Sequence, residues 1–139
     1  MPLETLPSDF YNFQSLLTPD EQAIAGKVRR FFEETIAPIA NDAWAEAEFR
    51  FDLIPQFAKL DLVRLTDGGA RSLLTGWLAL EMNRVDPSHG TFYGVQSGLA
   101  TGSVRAFGSD YLKANILPSM LSMEKIGAFA LTEPEGGSD

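Results

Sequence analysis

The chain has 139 residues, 45% of them hydrophobic, with a formal net charge of −8, one histidine and no cysteine. This is one domain of ordinary size, able to bury about two thirds of its unfolded surface, and its acidity argues against nucleic acid or an anionic membrane surface as partner, since both need a basic patch. Disulfide frameworks, thiol catalysis and a zinc site are excluded or disfavoured by the missing cysteines and lone histidine, and no metal site is predicted.

No apolar stretch is long enough to cross a bilayer. The N-terminus lacks the basic and apolar regions of a secretory signal and the arginines of a transit peptide, so the cytoplasm is the expected compartment. Residues 1–17 mix prolines with Phe10, Tyr11, Phe13, Leu16 and Leu17 and predict an irregular arm. Thr18-Pro19-Asp20-Glu21 is a capping box with proline at the first helical position. Ile24, Val28, Phe31 and Phe32 then form one apolar stripe, and Pro38 is expected to end or kink that helix.

A second helix is predicted over about 39–48, with Trp44 as a core anchor, and a third from about Asp52, burying Leu53, Ile54, Phe57 and Leu60. Thr66-Asp67-Gly68-Gly69 marks residues 61–72 as a loop. From Ser72 to Val85, Leu73, Leu74, Trp77, Leu80 and Met82 predict a buried helix, and Asp86-Pro87-Ser88 breaks it and caps the next. That next helix, about 88–107, places Gly94, Gly98 and Gly102 on one face at roughly 1 kcal/mol each relative to alanine. A close neighbour is therefore expected against that face. Gly108 suits a helix end and Ser109 a cap for a further helix before Pro118. Lone His89 reads as a capping or surface residue, and Arg84 and Arg105 as surface or structural ion pairs.

The chain ends on its most informative stretch, Phe129-Ala130-Leu131-Thr132-Glu133-Pro134-Glu135-Gly136-Gly137-Ser138-Asp139. Phe129, Ala130 and Leu131 continue an apolar run from Ile126 and predict a short buried strand. Pro134 stops the run, and Gly136 and Gly137 leave backbone that a ligand can approach closely. The fold predicted is all-α, a bundle of about six helices followed by the first strand of something else.

Leu-Thr-Glu-Pro-x-x-Gly-Ser-Asp resembles the flavin-binding signature of the acyl-CoA dehydrogenases, and the upstream segments follow that family's order along nearly all of the chain. Asp-Phe-Tyr at 9–11 and Gly-Ala-Phe-Ala-Leu-Thr-Glu-Pro at 127–134 are most similar to the glutaryl-CoA dehydrogenase branch. The resemblance implies an N-terminal helical domain over 1–125 and, over 126–139, the first strand and flavin loop of a middle β domain. It implies FAD as cofactor, held by Phe129, Ala130, Leu131, Thr132, Glu133, Gly137 and Ser138, with the Thr132 hydroxyl nearest the reactive edge. An acyl-CoA substrate would meet Gly90, Thr91, Gln96, Ser97, Ala100, Val104 and Ser138.

Glutaryl-CoA dehydrogenases carry an arginine for the distal carboxylate of their substrate, and the matching residue here is Gly90, followed by Thr91. Glycine offers no guanidinium, so an uncharged acyl group is expected. The family's catalytic glutamate belongs to a C-terminal helical domain outside these residues, so no catalytic base is assigned. The reading is thus the N-terminal part of a dehydrogenase that forms a trans-2-enoyl-CoA, homotetrameric when intact, with electron-transfer flavoprotein as acceptor, and inactive alone. A short-chain acyl-CoA oxidase and a non-catalytic helical interaction module stay open as alternatives.

Overall fold

The capping box at Thr18 forms, with Thr18 Oγ1 accepting from the Glu21 N–H at 3.3 Å and the Glu21 carboxylate accepting from the Thr18 N–H at 2.8 Å. Two donors that a helix start leaves without partners are satisfied reciprocally. The computed structural model describes residues 3–137. Helix α1 (Pro19–Phe31) buries Ala25 and Val28, and Phe32 and Ile36 extend the same stripe. Pro38 does not end the rod. The turn before it, Phe32–Ile36, is wound as a π-helix, and α2 (Ala37–Ala45) continues. A π turn shifts the hydrogen-bond register, which accommodates a residue that has no N–H to give.

None of the residues of α2 is buried, and Trp44, expected in the core, is 82% exposed. A 3-10 turn (Phe51–Leu53) leads into α3 (Ile54–Ala58), where Leu53 and Phe57 are buried as expected and Ile54 and Leu60 partly so. The segment read as a loop contains a helix, α4 (Leu62–Asp67). Asp61, at φ 54°, turns the chain sharply enough to swing Leu62 and Val63 into the core, and their burial outweighs the turn signal of the glycines that follow.

Helix α5 (Ser72–Asn83) buries Leu74, Trp77, Leu78 and Met82, whereas Leu80 lies at the surface. Asp86 then caps α6 (Pro87–Gly94), accepting from the Ser88 N–H at 3.0 Å and the His89 N–H at 3.4 Å. The rod goes on through a π segment (Val95–Ala100) into α7 (Thr101–Phe107). Ser109 caps α8 (Asp110–Asn115), and α9 (Leu117–Leu121) carries Pro118 in its first turn, where proline is tolerated. The result is all-α. Among the described residues there is no sheet, and no helix is long and apolar enough to cross a membrane.

Charged side chains join α1 to α5. Arg29 makes a forked contact with Glu81, with Nη2 at 2.6 Å from Oε1 and Nε at 3.1 Å from both oxygens. Glu81, at 0% exposure, also accepts from Trp77 Nε1 at 3.0 Å and Arg84 Nε at 2.9 Å, while Arg84 reaches Glu33. Arg105 pairs with Asp67. Both Arg84 and Arg105 are thus structural ion pairs, as expected from their helical spacing.

A second pair, Arg71–Glu21, ties the start of α5 to the start of α1. The Arg71 guanidinium, followed by the Thr18 amide, lowers the Glu21 pKa from 4.5 to about 2. A carboxylate whose folded value is depressed stabilises the fold above its unfolded value, and loses that contribution as pH falls through the folded one. Thermal midpoints of the native chain and Glu21→Gln should therefore differ by a constant amount from pH 7 down to about 5, and converge as pH nears about 2. A gap of unchanged size at the acid end would show that the pair is not the source.

Candidate functional site

The central helix spans α6, the π segment and α7, and its buried face carries Tyr93, Gln96, Ser97, Ala100 and Thr101. Two hydroxyls on this face are spent on the helix itself. Ser97 Oγ donates to the Tyr93 carbonyl at 2.8 Å and Thr101 Oγ1 to the Ser97 carbonyl at 2.5 Å. Such back-bonding competes with the helical ladder, and the π winding falls on the same turns. Tyr93 is fixed from beyond the helix, its hydroxyl 2.5 Å from Thr66 Oγ1 and donating to the Leu62 carbonyl at 3.3 Å, and burial raises its pKa.

Gln96 is consumed by the end of α9 and the segment that follows it. Its Nε2 donates to the carbonyls of Met120 (2.8 Å) and Lys125 (3.0 Å), and its Oε1 accepts from the Gly127 N–H (2.8 Å). Gly127 lies so close that a Cβ there would stand 2.5 Å from Ala100 Cβ and 2.9 Å from Met120 Cε. Sequence reasoning assigned no role to Gly127. The signal that could have found it is a glycine ahead of an apolar run, which marks close approach of the backbone to something else.

After Gly127 the chain runs without regular structure to a tight turn at Pro134 and Glu135, closed by Gly136 N–H donating to the Glu133 carbonyl at 3.3 Å. The buried strand expected at Phe129, Ala130 and Leu131 does not form among the described residues, and Leu131 is 73% exposed. A strand exists only with a neighbour to take its ladder, and no other segment among the described residues offers one. Leu131, Thr132, Glu133, Gly136 and Gly137 line a hollow of about 310 Å³. No hydrogen bond among the described residues uses the amides of Leu131 and Thr132 or the Thr132 hydroxyl. Ser138, expected at both cofactor and substrate, lies outside the described residues.

Of the expected substrate-facing residues, Gln96, Ser97 and Ala100 are brought together on the buried face, Val104 stands partly buried two turns after Ser97, and Thr91 is exposed. Gly90 is buried against α5, where a Cβ would come 2.5 Å from Asn83 Oδ1. The glycine face is different from expectation. A Cβ at Gly94, Gly98 or Gly102 would meet nothing within 4 Å, so among the described residues no close neighbour presses on it. His89 is buried, not superficial: it stacks on Phe49 at 5.0 Å between ring centroids, and its Nδ1 is hydrogen-bonded to Asp86. The rings of Phe49 and Phe32 draw it inward despite its place at a helix start.

Residues 18–124 match the model of the acyl-CoA dehydrogenase N-terminal domain. The chain is 30% identical over 129 residues to an acyl-CoA dehydrogenase of Bacillus subtilis (strain 168), an alignment covering 88% of this chain and 34% of that protein. It is 34% identical over 134 residues to a mitochondrial isovaleryl-CoA dehydrogenase of Oryza sativa subsp. japonica, covering 90% and 33%. Among solved structures it is similar to a glutaryl-CoA dehydrogenase from Mycobacterium smegmatis in complex with FADH2, with a TM-score of 0.87 and 27% identity over 98% of this chain and 36% of that one. The chain thus spans about a third of the length of the curated relatives it matches. With the capped helical rods, the expected order of segments and the family model agreeing over most of its length, the chain belongs to the acyl-CoA dehydrogenase family, and residues 18–124 are its N-terminal helical domain.

Proposed function

We propose that this chain supplies one wall of the acyl cavity and the flavin-edge loop of a flavin-dependent acyl-CoA dehydrogenase, with FAD as cofactor. The observation that carries the reading is the donor set of the terminal loop. The amides of Leu131 and Thr132 and the Thr132 hydroxyl are uncommitted around the 310 Å³ hollow, and a Cβ at Gly137 would meet nothing within 4 Å. An isoalloxazine ring presents carbonyl oxygens and ring nitrogens along its edge, so such donors fit it, and backbone without side chains allows a flat ring to come close. A bound flavin supplies the acceptor for the hydride that leaves the β carbon of the acyl thioester. This chain's part is to aim fixed donors at a ring that gains negative charge on reduction.

Gly90 bears on the substrate. An arginine there would have to displace Asn83, and glycine itself offers no guanidinium. The acyl group is therefore uncharged at its distal end, as is the isovaleryl group in the name of the rice relative. Electron-transfer flavoprotein as acceptor, a homotetrameric assembly and a cytoplasmic setting belong to the same proposal, by resemblance to the family.

The 139-residue chain by itself is expected to turn over no acyl-CoA, because among the described residues no carboxylate is hydrogen-bonded into the loop to act as base. The test is to splice residues 18–137 in place of the matching segment of the Bacillus subtilis relative. The spliced enzyme should show a flavin absorption band and acyl-CoA-dependent dye reduction, with Thr132→Val lowering the rate about 10-fold or more, as loss of one aimed donor does. A folded spliced enzyme without flavin, or turnover by the 139-residue chain alone, would count against the proposal.

A further inference from the structure

Gln96 stands at 0% exposure, and its whole amide is taken by one short segment. Its three partners, the Met120 and Lys125 carbonyls and the Gly127 amide, bracket the reversal by which the chain leaves α9 and heads for the terminal loop. Within that reversal Met123 adopts φ 61° and is buried, and the Lys125 N–H donates to the Ser119 carbonyl at 2.9 Å. Gly127 then lies directly on Ala100. Beyond it, among the described residues, no backbone hydrogen bond is made until the turn at Glu133 and Gly136. Gly127 is consequently the last fixed point before the loop, and Gln96 is what holds it.

We infer that Gln96 is a positioning residue: it sets the origin of the Phe129–Gly137 loop relative to the central helix, so that acyl wall and loop move as one piece. What the loop meets rests on the flavin reading above, whereas the clamp rests on its own hydrogen bonds. Its place inside the π segment is part of the device, because the widened turn carries an additional residue to the buried face. A glutamine suits the position because it alone among side chains of this length offers two donors and an acceptor without charge.

Two variants of the 139-residue chain, followed by amide hydrogen exchange, test this. Gln96→Met keeps the volume and removes all three bonds. It should speed exchange at Gly127 about 10-fold or more relative to the native chain, while the amides of Leu78 and Met82 in α5 keep their protection. Gln96→Glu is the conservative rescue and covers the case in which the methionine variant does not fold. As a neutral acid it still donates once and accepts from Gly127, but ionised it faces two carbonyls. Burial and those carbonyls favour the neutral form, so protection at Gly127, taken relative to the native chain, should be near native in acid and be lost as pH rises. The inference is overturned if the native Gly127 amide exchanges without protection. It is equally overturned if Gln96→Met leaves Gly127 as slow as before, or if protection in Gln96→Glu does not depend on pH. Absence of flavin from the spliced enzyme would instead overturn the functional reading and leave these exchange results to judge the clamp.

Discussion

Glu81→Gln is expected to destabilise the fold by about 3–5 kcal/mol, a large share of what a domain of this size possesses. Glu81 is wholly buried and, among the described residues, is the only carboxylate that Arg29 contacts, and it also receives Trp77 Nε1 and Arg84 Nε. Glutamine keeps an acceptor but brings a donor where three donors converge. Arg29, whose side chain is 11% exposed, is then left with a charge out of water and no counter-ion. The cost is that of an uncompensated buried charge, not the net worth of the ion pair.

Two comparisons separate these quantities. Glu33→Gln removes the exposed member of the network, whose partner Arg84 retains Glu81, and should lose no more than about 1 kcal/mol. Replacing Arg29 and Glu81 together by methionine and leucine should recover most of the single-variant loss, since apolar side chains of similar volume need no partner. Urea denaturation midpoints measure all three. If Glu81→Gln loses less than about 1 kcal/mol, the network does not join α1 to α5 and packing alone does so.

Features written in neighbouring residues were legible in the sequence, and features made by distant ones were not. The Thr18 box, the Asp86 and Ser109 caps and the Val28–Phe32 stripe each need only a few consecutive residues, and all form. Pro38 was legible as a missing donor, but the π turn that absorbs it depends on the whole rod being held by its buried face. Helix α4 was hidden because six residues beside two glycines carry too little periodicity, and it is the burial of Leu62 and Val63 by other helices that selects the conformation. At the site, the loop's composition and resemblance marked it, and its lack of a strand follows from the lack of a pairing neighbour. Gln96 is marked by the family resemblance as a substrate-facing residue. Its partners lie 24 to 31 residues away, and nothing local announces them.

Phe57→Ala is expected to lose about 3–5 kcal/mol, comparable to Glu81→Gln but by a different physical route. The Phe57 ring is 2% exposed and stands edge-on to Phe31 at 5.8 Å, to Phe32 at 5.9 Å and to Phe92 at 6.1 Å, with Tyr93 tilted against it at 6.1 Å. It touches the α1 rod and the central helix together. Helix α3 has only five residues, far below the length at which a helix persists unaided, so its attachment to the rest depends on this side chain. Truncation removes the transfer free energy of the ring, leaves a cavity that two rigid rods cannot close, and forfeits edge-to-face contacts of about 0.5–1.5 kcal/mol each. Phe57→Leu, which keeps much of the volume, should lose roughly half as much. Trp44→Ala is the matched control, since an aromatic side chain that is 82% exposed should change stability by no more than about 0.5 kcal/mol. Because Tyr93 lies one turn before Gln96, loss of Phe57 should also loosen the Gly127 amide, whereas loss of Trp44 should not. A Phe57→Ala variant with a native urea midpoint would mean that the two rods are joined elsewhere, and the aromatic cluster would then fill space without bearing on the placement of the loop.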